Sequence, residues 1–175
     1  MRKTNNNKLA MTTMTALMAA IIFLATWLIK MPMPALNGGY INLGDFTIYL
    51  GAIMLGNPWA AVAAALGSAF ADFAGGWTQY MAATFVIKGL MGFVAAYFAK
   101  NGNIWLFGAG TLISAVIMAG GYFAYELLLY SAGNQLGWAA ASAGLPMNTL
   151  QGLTCAAFAL AVYKPVFTVR ERVLK

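Results

Sequence analysis

The sequence predicts an all-α membrane protein: six transmembrane helices in a single domain, residues 1–175, with both termini on the cytoplasmic side. Three observations predict it. Hydrophobic residues make up 62 % of the chain and charged residues 8 %, where soluble domains carry about 25 % charge; lipid is the solvent that makes such a composition reasonable. Apolar runs recur along the chain, separated by short polar or Gly/Pro-containing connections. Eight of the ten basic residues (Arg2, Lys3, Lys8, Lys100, Lys164, Arg170, Arg172, Lys175) lie in the two termini and one connection. That is the distribution of cytoplasmic flanks that hold orientation, so the formal charge of +6 does not point to nucleic acid.

Each element follows from its local sequence. Residues 1–8 read as a mobile, basic cytoplasmic tail. The first span covers Met11 to Ile29 and has no cleavage site after it, so it stays as a helix and is not a removable signal. Ala16 and Ala20 lie four apart on one of its faces, where small side chains let another helix approach closely. Residues 30–45 form an outer loop containing Pro32, Pro34 and three glycines, and Asn42 and Asp45 sit near its end. The second span, Phe46 to Leu55, is short for the roughly 20 residues of a crossing. Gly56-Asn57-Pro58 closes it. The third, Trp59 to Phe73, presents Ala61, Ala65 and Ala69 on one face, carries Asp72 in its last turn and ends at Gly75-Gly76. Trp77 to Tyr80 is an aromatic interfacial connection. The fourth span runs from Met81 to Ala99, the basic turn Lys100 to Asn103 follows, and the fifth span runs from Ile104 to Tyr130. Ser131 to Gly144 read as an outer loop. The sixth span runs from Leu145 to Tyr163, with Pro146 in its first turn and Lys164-Pro165 closing it ahead of a cytoplasmic tail, 164–175.

Whole classes of chemistry are excluded. Histidine is absent and cysteine occurs once, as Cys155 inside an apolar run. No internal disulfide, no Cys/His metal site and no Ser–His catalysis can be built from this chain. Cys155 reads as a small packing residue, and no cofactor is expected.

With six spans in this orientation, the remaining polar groups share one depth. Asp45, Asp72, Lys88, Glu126, Asn148 and Gln151 all fall in the outer half. Intramembrane charges are expensive and face a cavity or a partner, so their shared depth predicts one outward-facing polar pocket beneath the first loop, which contributes Asn42. Asp45 either lines that pocket or caps the second helix; both can hold at once. Asp72 and Lys88 have opposite signs and are candidates for an ion pair between the third and fourth spans. Glu126 has no cation at its level on the fifth or sixth span, which favours contact with a ligand. Tyr122 shares its helix face, as Asn148 shares that of Gln151. Tyr125 and Tyr130 are either part of this aromatic lining or interface anchors. Rings beside amides and a carboxylate suit a small, flat, polar ligand.

Four stretches carry a family likeness: Ala16-Leu-Met-Ala-Ala20; Tyr40-Ile-Asn-Leu-Gly-Asp45; Gly67-Ser-Ala-Phe-Ala-Asp72-Phe-Ala-Gly-Gly76; and Thr84-Phe-Val-Ile-Lys88-Gly89-Leu90. Together with the six-span plan, they make the chain resemble the substrate-binding S component of an energy-coupling factor (ECF) vitamin transporter, in the HmpT-like subgroup assigned to hydroxymethylpyrimidine or vitamin B6 precursors. The resemblance implies a multi-pass protein of the bacterial cytoplasmic membrane that binds a micronutrient at the outer side. It implies docking on a membrane-embedded coupling protein and two ABC ATPases, with Ala16 and Ala20 on the docking face, and ligand release inward as the subunit topples. The chain contains no G-x-x-x-x-G-K-[ST] loop, which agrees with energy coming from a partner. The expectation is a binding subunit and not an enzyme, with Asn42, Asp45, Lys88, Tyr122, Glu126, Asn148 and Gln151 around the ligand. An intramembrane enzyme acting on lipid would need a close acidic pair for magnesium and diphosphate, and no D-x-x-D is present. A small channel or assembly protein is the other class. A copurifying vitamin separates all three.

Overall fold

The computed structural model describes residues 2–32, 40–131 and 137–173. They form six α-helices: α1 (Arg2–Leu28), α2 (Gly44–Leu55), α3 (Trp59–Gly75), α4 (Met81–Ala99), α5 (Ile104–Ser131) and α6 (Gly137–Val173). A single 3₁₀ turn, Thr78–Tyr80, leads into α4. Between α1 and α2 the chain makes a small antiparallel pair, β1 (Lys30–Pro32) and β2 (Tyr40–Asn42), in the register Lys30 to Asn42 and Pro32 to Tyr40. Residues 33–39 of the expected outer loop, and Asn134 and Gln135 of the other, lie outside the described residues.

Four of the helices are long and apolar enough to cross a membrane by length and composition. α2, with 12 residues, and α3, with 17, are shorter. A short helix is tolerable at membrane depth when protein and not lipid surrounds it. α2 meets that condition, because α1, α3, α4 and α6 all pack against it. Ile48, Tyr49 and Ile53 on α2 are fully buried, and Ile22, Met91, Phe107, Met118 and Tyr163 complete the core from the other helices. The contacts close because small residues stand where backbones meet. A Cβ at Gly67 would lie 2.5 Å from the Ala19 carbonyl oxygen, and one at Gly92 would lie 2.9 Å from that of Ala60. Large apolar side chains such as Leu17, Phe73, Val116 and Leu128 point outward, as a lipid-facing surface requires.

Three sequence expectations are corrected. The N-terminal tail is helical from Arg2, because a helix nucleated by the apolar span adds residues at one hydrogen bond each. Residues 137–144 belong to α6 and not to a loop: Ala139, Ala140, Ala141 and Ala143 are the strongest helix formers, and Pro146 falls inside the helix instead of in its first turn. Pro165 does not end α6. Val166 and Phe167 beyond it still pack on the core. The rings of Phe107, Tyr163 and Phe167 stack in series at 4.6 and 5.6 Å, with the Arg170 guanidinium 5.3 Å from the last ring.

The ends of the bundle are fixed by these contacts. Thr26 on α1 faces Gly44 and Met18 faces Gly51, so α1 and α2 run antiparallel. Arg170 of α6 approaches Gly56 after α2, and Phe167 packs over Gly102 between α4 and α5. The start of α1, the end of α6 and the Lys100 turn therefore share one end. The β-pair, the start of α4, the end of α5 and the start of α6 share the other.

Candidate functional site

The polar residues singled out by the sequence gather at that second end, in two connected groups. Asp45 is the second residue of α2 and fully buried. It does not cap the helix: the residue before the helix is Leu43, with no side-chain cap. Asp45 instead accepts a hydrogen bond from the Lys88 ammonium on Oδ1. Its other oxygen accepts from Gln151 Nε2 at 2.6 Å. Gln151, on α6, uses its carbonyl to accept the backbone N–H of Asn42 at 2.9 Å. Asn42 turns its own side chain back to the Gly44 N–H at 2.7 Å, a local Asx turn that links β2 to α2. Lys88 is 5 % exposed and also touches Met118 Sδ at 2.9 Å. The carboxylate that Lys88 holds is thus that of Asp45, where the sequence had offered Asp72. Asp72, buried in the last turns of α3, lies at the same end.

The second group centres on Glu126. Its carboxylate is buried, and Oε1 accepts from the Tyr80 hydroxyl at 3.3 Å. Oε2 has no hydrogen-bond partner among the described residues. Space beside it is kept by Gly144 on α6, where a Cβ would stand 3.2 Å from Oε2 and 3.7 Å from Asn148 Nδ2. Tyr122, one turn before Glu126, shares a hydrogen bond of 3.0 Å with Thr84 and lays its ring 5.6 Å from the Lys88 ammonium, which joins the two groups. Tyr80 packs against Tyr122 and Tyr125 with ring centroids 6.4 and 5.6 Å away, and the Tyr125 hydroxyl donates to the Gln79 carbonyl.

All seven sequence-predicted side chains are therefore brought to one end of the bundle, but in different states. Asn42, Asp45, Lys88 and Gln151 bond one another. Glu126 keeps one oxygen unengaged among the described residues, with Asn148 across Gly144 from it and Tyr122 one turn before it on α5. Tyr80 and Thr84 belong with them and were not singled out from the sequence. A signal was present: Tyr80, Thr84 and Lys88 recur every four residues, a single helix face, but Tyr80 reads as part of the interfacial connection. Ala16 and Ala20 lie far along α1, both exposed, so neither is used to pack this chain on itself.

Chemically, the end offers a buried acceptor, hydroxyl and amide groups and aromatic faces, with the Asp45–Lys88 ion pair internally neutral. That suits non-covalent capture of a polar ring. The comparisons agree with a transport role. The chain aligns at 29 % identity over 151 residues, 86 % of its length and 84 % of the relative's, with the thiamine precursor transporter HmpT of Lactococcus lactis subsp. cremoris. It is 34 % identical over 116 residues, 64 % of its length and 75 % of the relative's, to an uncharacterized protein of Pyrococcus woesei. Its fold matches the crystal structure of the S component for biotin from an ECF-type ABC transporter, with a TM-score of 0.65 over 95 % of this chain and 94 % of that one at 17 % identity. Residues 6–167 match the family model of the ECF-type riboflavin transporter S component, and the chain belongs to that family of transporter substrate-binding subunits.

Proposed function

We propose that this S component binds a small nitrogen heterocycle of the hydroxymethylpyrimidine or vitamin B6 class at the end of the bundle opposite its termini. That end faces the outside of the cytoplasmic membrane, and the ligand is released inward when the subunit is docked on a membrane coupling protein driven by two ABC ATPases. The observation that carries the reading is Glu126: a buried carboxylate with one oxygen unengaged among the described residues, beside Tyr80, Tyr122 and Asn148. A buried carboxylate needs donors, and a ring carrying amino and hydroxymethyl groups supplies them while its faces meet tyrosine. The thiamine precursor transporter among the relatives supports the same class. Exposed Ala16 and Ala20 on α1 give the coupling protein a surface it can approach closely. The basic residues at the terminal end support the orientation.

The family model's own substrate, riboflavin, is the second reading, favoured by the match over residues 6–167. Mass spectrometry of ligand released from the purified protein tests both. Hydroxymethylpyrimidine or a B6 vitamer at near-stoichiometric amount supports the first. Riboflavin in its place replaces it.

A further inference from the structure

We infer that Asp45, Lys88 and Gln151 are positioning residues: a buried relay that anchors strand β2 at the mouth of the site with or without ligand, and does not itself touch the ligand. The inference deepens the reading above and rests on it for the location of the site. Each polar end of the relay's side chains is bonded within the chain. The two oxygens of Asp45 are divided between the Lys88 ammonium and Gln151 Nε2. Gln151, 5 % exposed, has its remaining end on the Asn42 N–H. Lys88 is closed off further by Met118 Sδ at 2.9 Å. The relay thus ties α4 to α2, α2 to α6, and α6 to the backbone of β2.

Two physical points keep it closed. The first is steric. The chain turns from β2 into α2 at Gly44, where a Cβ would lie 2.1 Å from Thr26 Oγ1 and 2.7 Å from Asn42 Oδ1, so the joint is packed tightly against α1 and has room only for glycine. The second is electrostatic. A ligand that drew Lys88 away would leave the fully buried Asp45 carboxylate without its cation, which is far costlier than bonding to a group with an oxygen in reserve. Glu126 has that oxygen. The division is therefore between a neutral tie bonded within the chain and the receptive carboxylate of Glu126.

The test uses the full chain in detergent, with amide hydrogen exchange at Asn42 read without any ligand. Gln151→Leu removes the glutamine's bonds to Asp45 and to the Asn42 N–H, and Asp45→Asn and Lys88→Met each strand one charge. All three are expected to speed exchange at Asn42 by about tenfold or more. The double variant Asp45→Asn/Lys88→Met, in which no charge is stranded, is expected to return to within about threefold of the parent. Unchanged exchange at Asn42 in Gln151→Leu overturns the anchor. Because Gln151→Leu strands no charge, it remains readable where a single charge variant fails to fold. Calorimetry with hydroxymethylpyrimidine gives the second arm: affinity lost in the single variants should recover in the double. A double variant that regains protection at Asn42 but binds as poorly as the singles would show these side chains touching ligand, and would overturn the assignment. Absence of hydroxymethylpyrimidine binding by the parent counts against the ligand class proposed above, while the exchange arm still decides the relay.

Discussion

Replacing Glu126 with glutamine tests the proposed ligand acceptor apart from the rest of the fold. The carboxylate makes one hydrogen bond among the described residues, from Tyr80 to Oε1 at 3.3 Å. A glutamine carbonyl keeps that bond. What changes is the other position, where Oε2, an acceptor with no hydrogen-bond partner among the described residues, becomes an N–H donor. The ligand-free protein therefore loses no hydrogen bond and sheds a buried charge, so its Tm should hold or rise. The bound state loses a hydrogen bond to a charged group, about 1.5–3 kcal/mol, and meets donor with donor. At about 1.4 kcal/mol per tenfold, the Kd for hydroxymethylpyrimidine should weaken by roughly 10- to 100-fold. Isothermal calorimetry on the purified protein, with Tm measured alongside, is the assay. Unchanged affinity for Glu126→Gln, together with a clear loss for Asp72→Asn, would refute the reasoning and move the ligand role from α5 to α3.

Three further expectations can be checked separately. Ala16→Trp and Ala20→Trp should abolish vitamin uptake in cells while leaving binding to the isolated subunit within a few-fold, since both positions are exposed in the free chain; normal uptake in both would place docking elsewhere. Cysteines introduced at the exposed positions Asn101 and Thr78 should react with impermeant reagents from opposite sides of the membrane, Cys155 being buried and silent; labelling of both from one side would break the orientation. Gly67→Ala forces a methyl to within 2.5 Å of the Ala19 carbonyl oxygen and 2.9 Å of Ile22 Cβ, an overpacking that should cost about 1–3 kcal/mol and lower the Tm, whereas an unchanged Tm would mean that α1 and α3 are not in close contact.

Much of the fold was legible because lipid simplifies the code. An apolar run bounded by Gly, Pro or Lys can be little other than a helix, and α4 is recovered residue for residue from Met81 to Ala99. The errors fall where punctuation is weaker than packing. Pro165 looks like a stop, yet the rings of Tyr163 and Phe167 carry α6 past it. Gly137 to Gly144 look like a loop when only glycines and serine are weighed, but the alanines between them prefer a helix. For the site, sparsity of charge was enough to bring Asp45, Lys88, Glu126 and Gln151 together. It was not enough to sort them. Which carboxylate takes Lys88 depends on how far α2 reaches into the bundle, and no local pattern encodes that distance. Tyr80 was passed over for a similar reason: its role depends on Glu126, 46 residues away.

The length of α6 has a mechanical consequence. At 1.5 Å per residue its 37 residues extend about 55 Å, against about 30 Å of hydrocarbon in a bilayer. Its two internal prolines, Pro146 and Pro165, each remove a backbone donor and weaken the rod where they stand. The stretch between them, 147–164, is about 27 Å long, close to one membrane thickness. The helix is thus a rod in which a segment of about one bilayer width is marked off by a proline at each end. Asn148 and Gln151 lie just inside one proline, and Phe167 and Arg170 beyond the other pack at the Gly102 and Gly56 turns. Because Gln151 is bonded to α2 and β2 while Phe167 and Arg170 sit against those two turns, a change in the tilt of α6 has to carry both ends of the bundle with it.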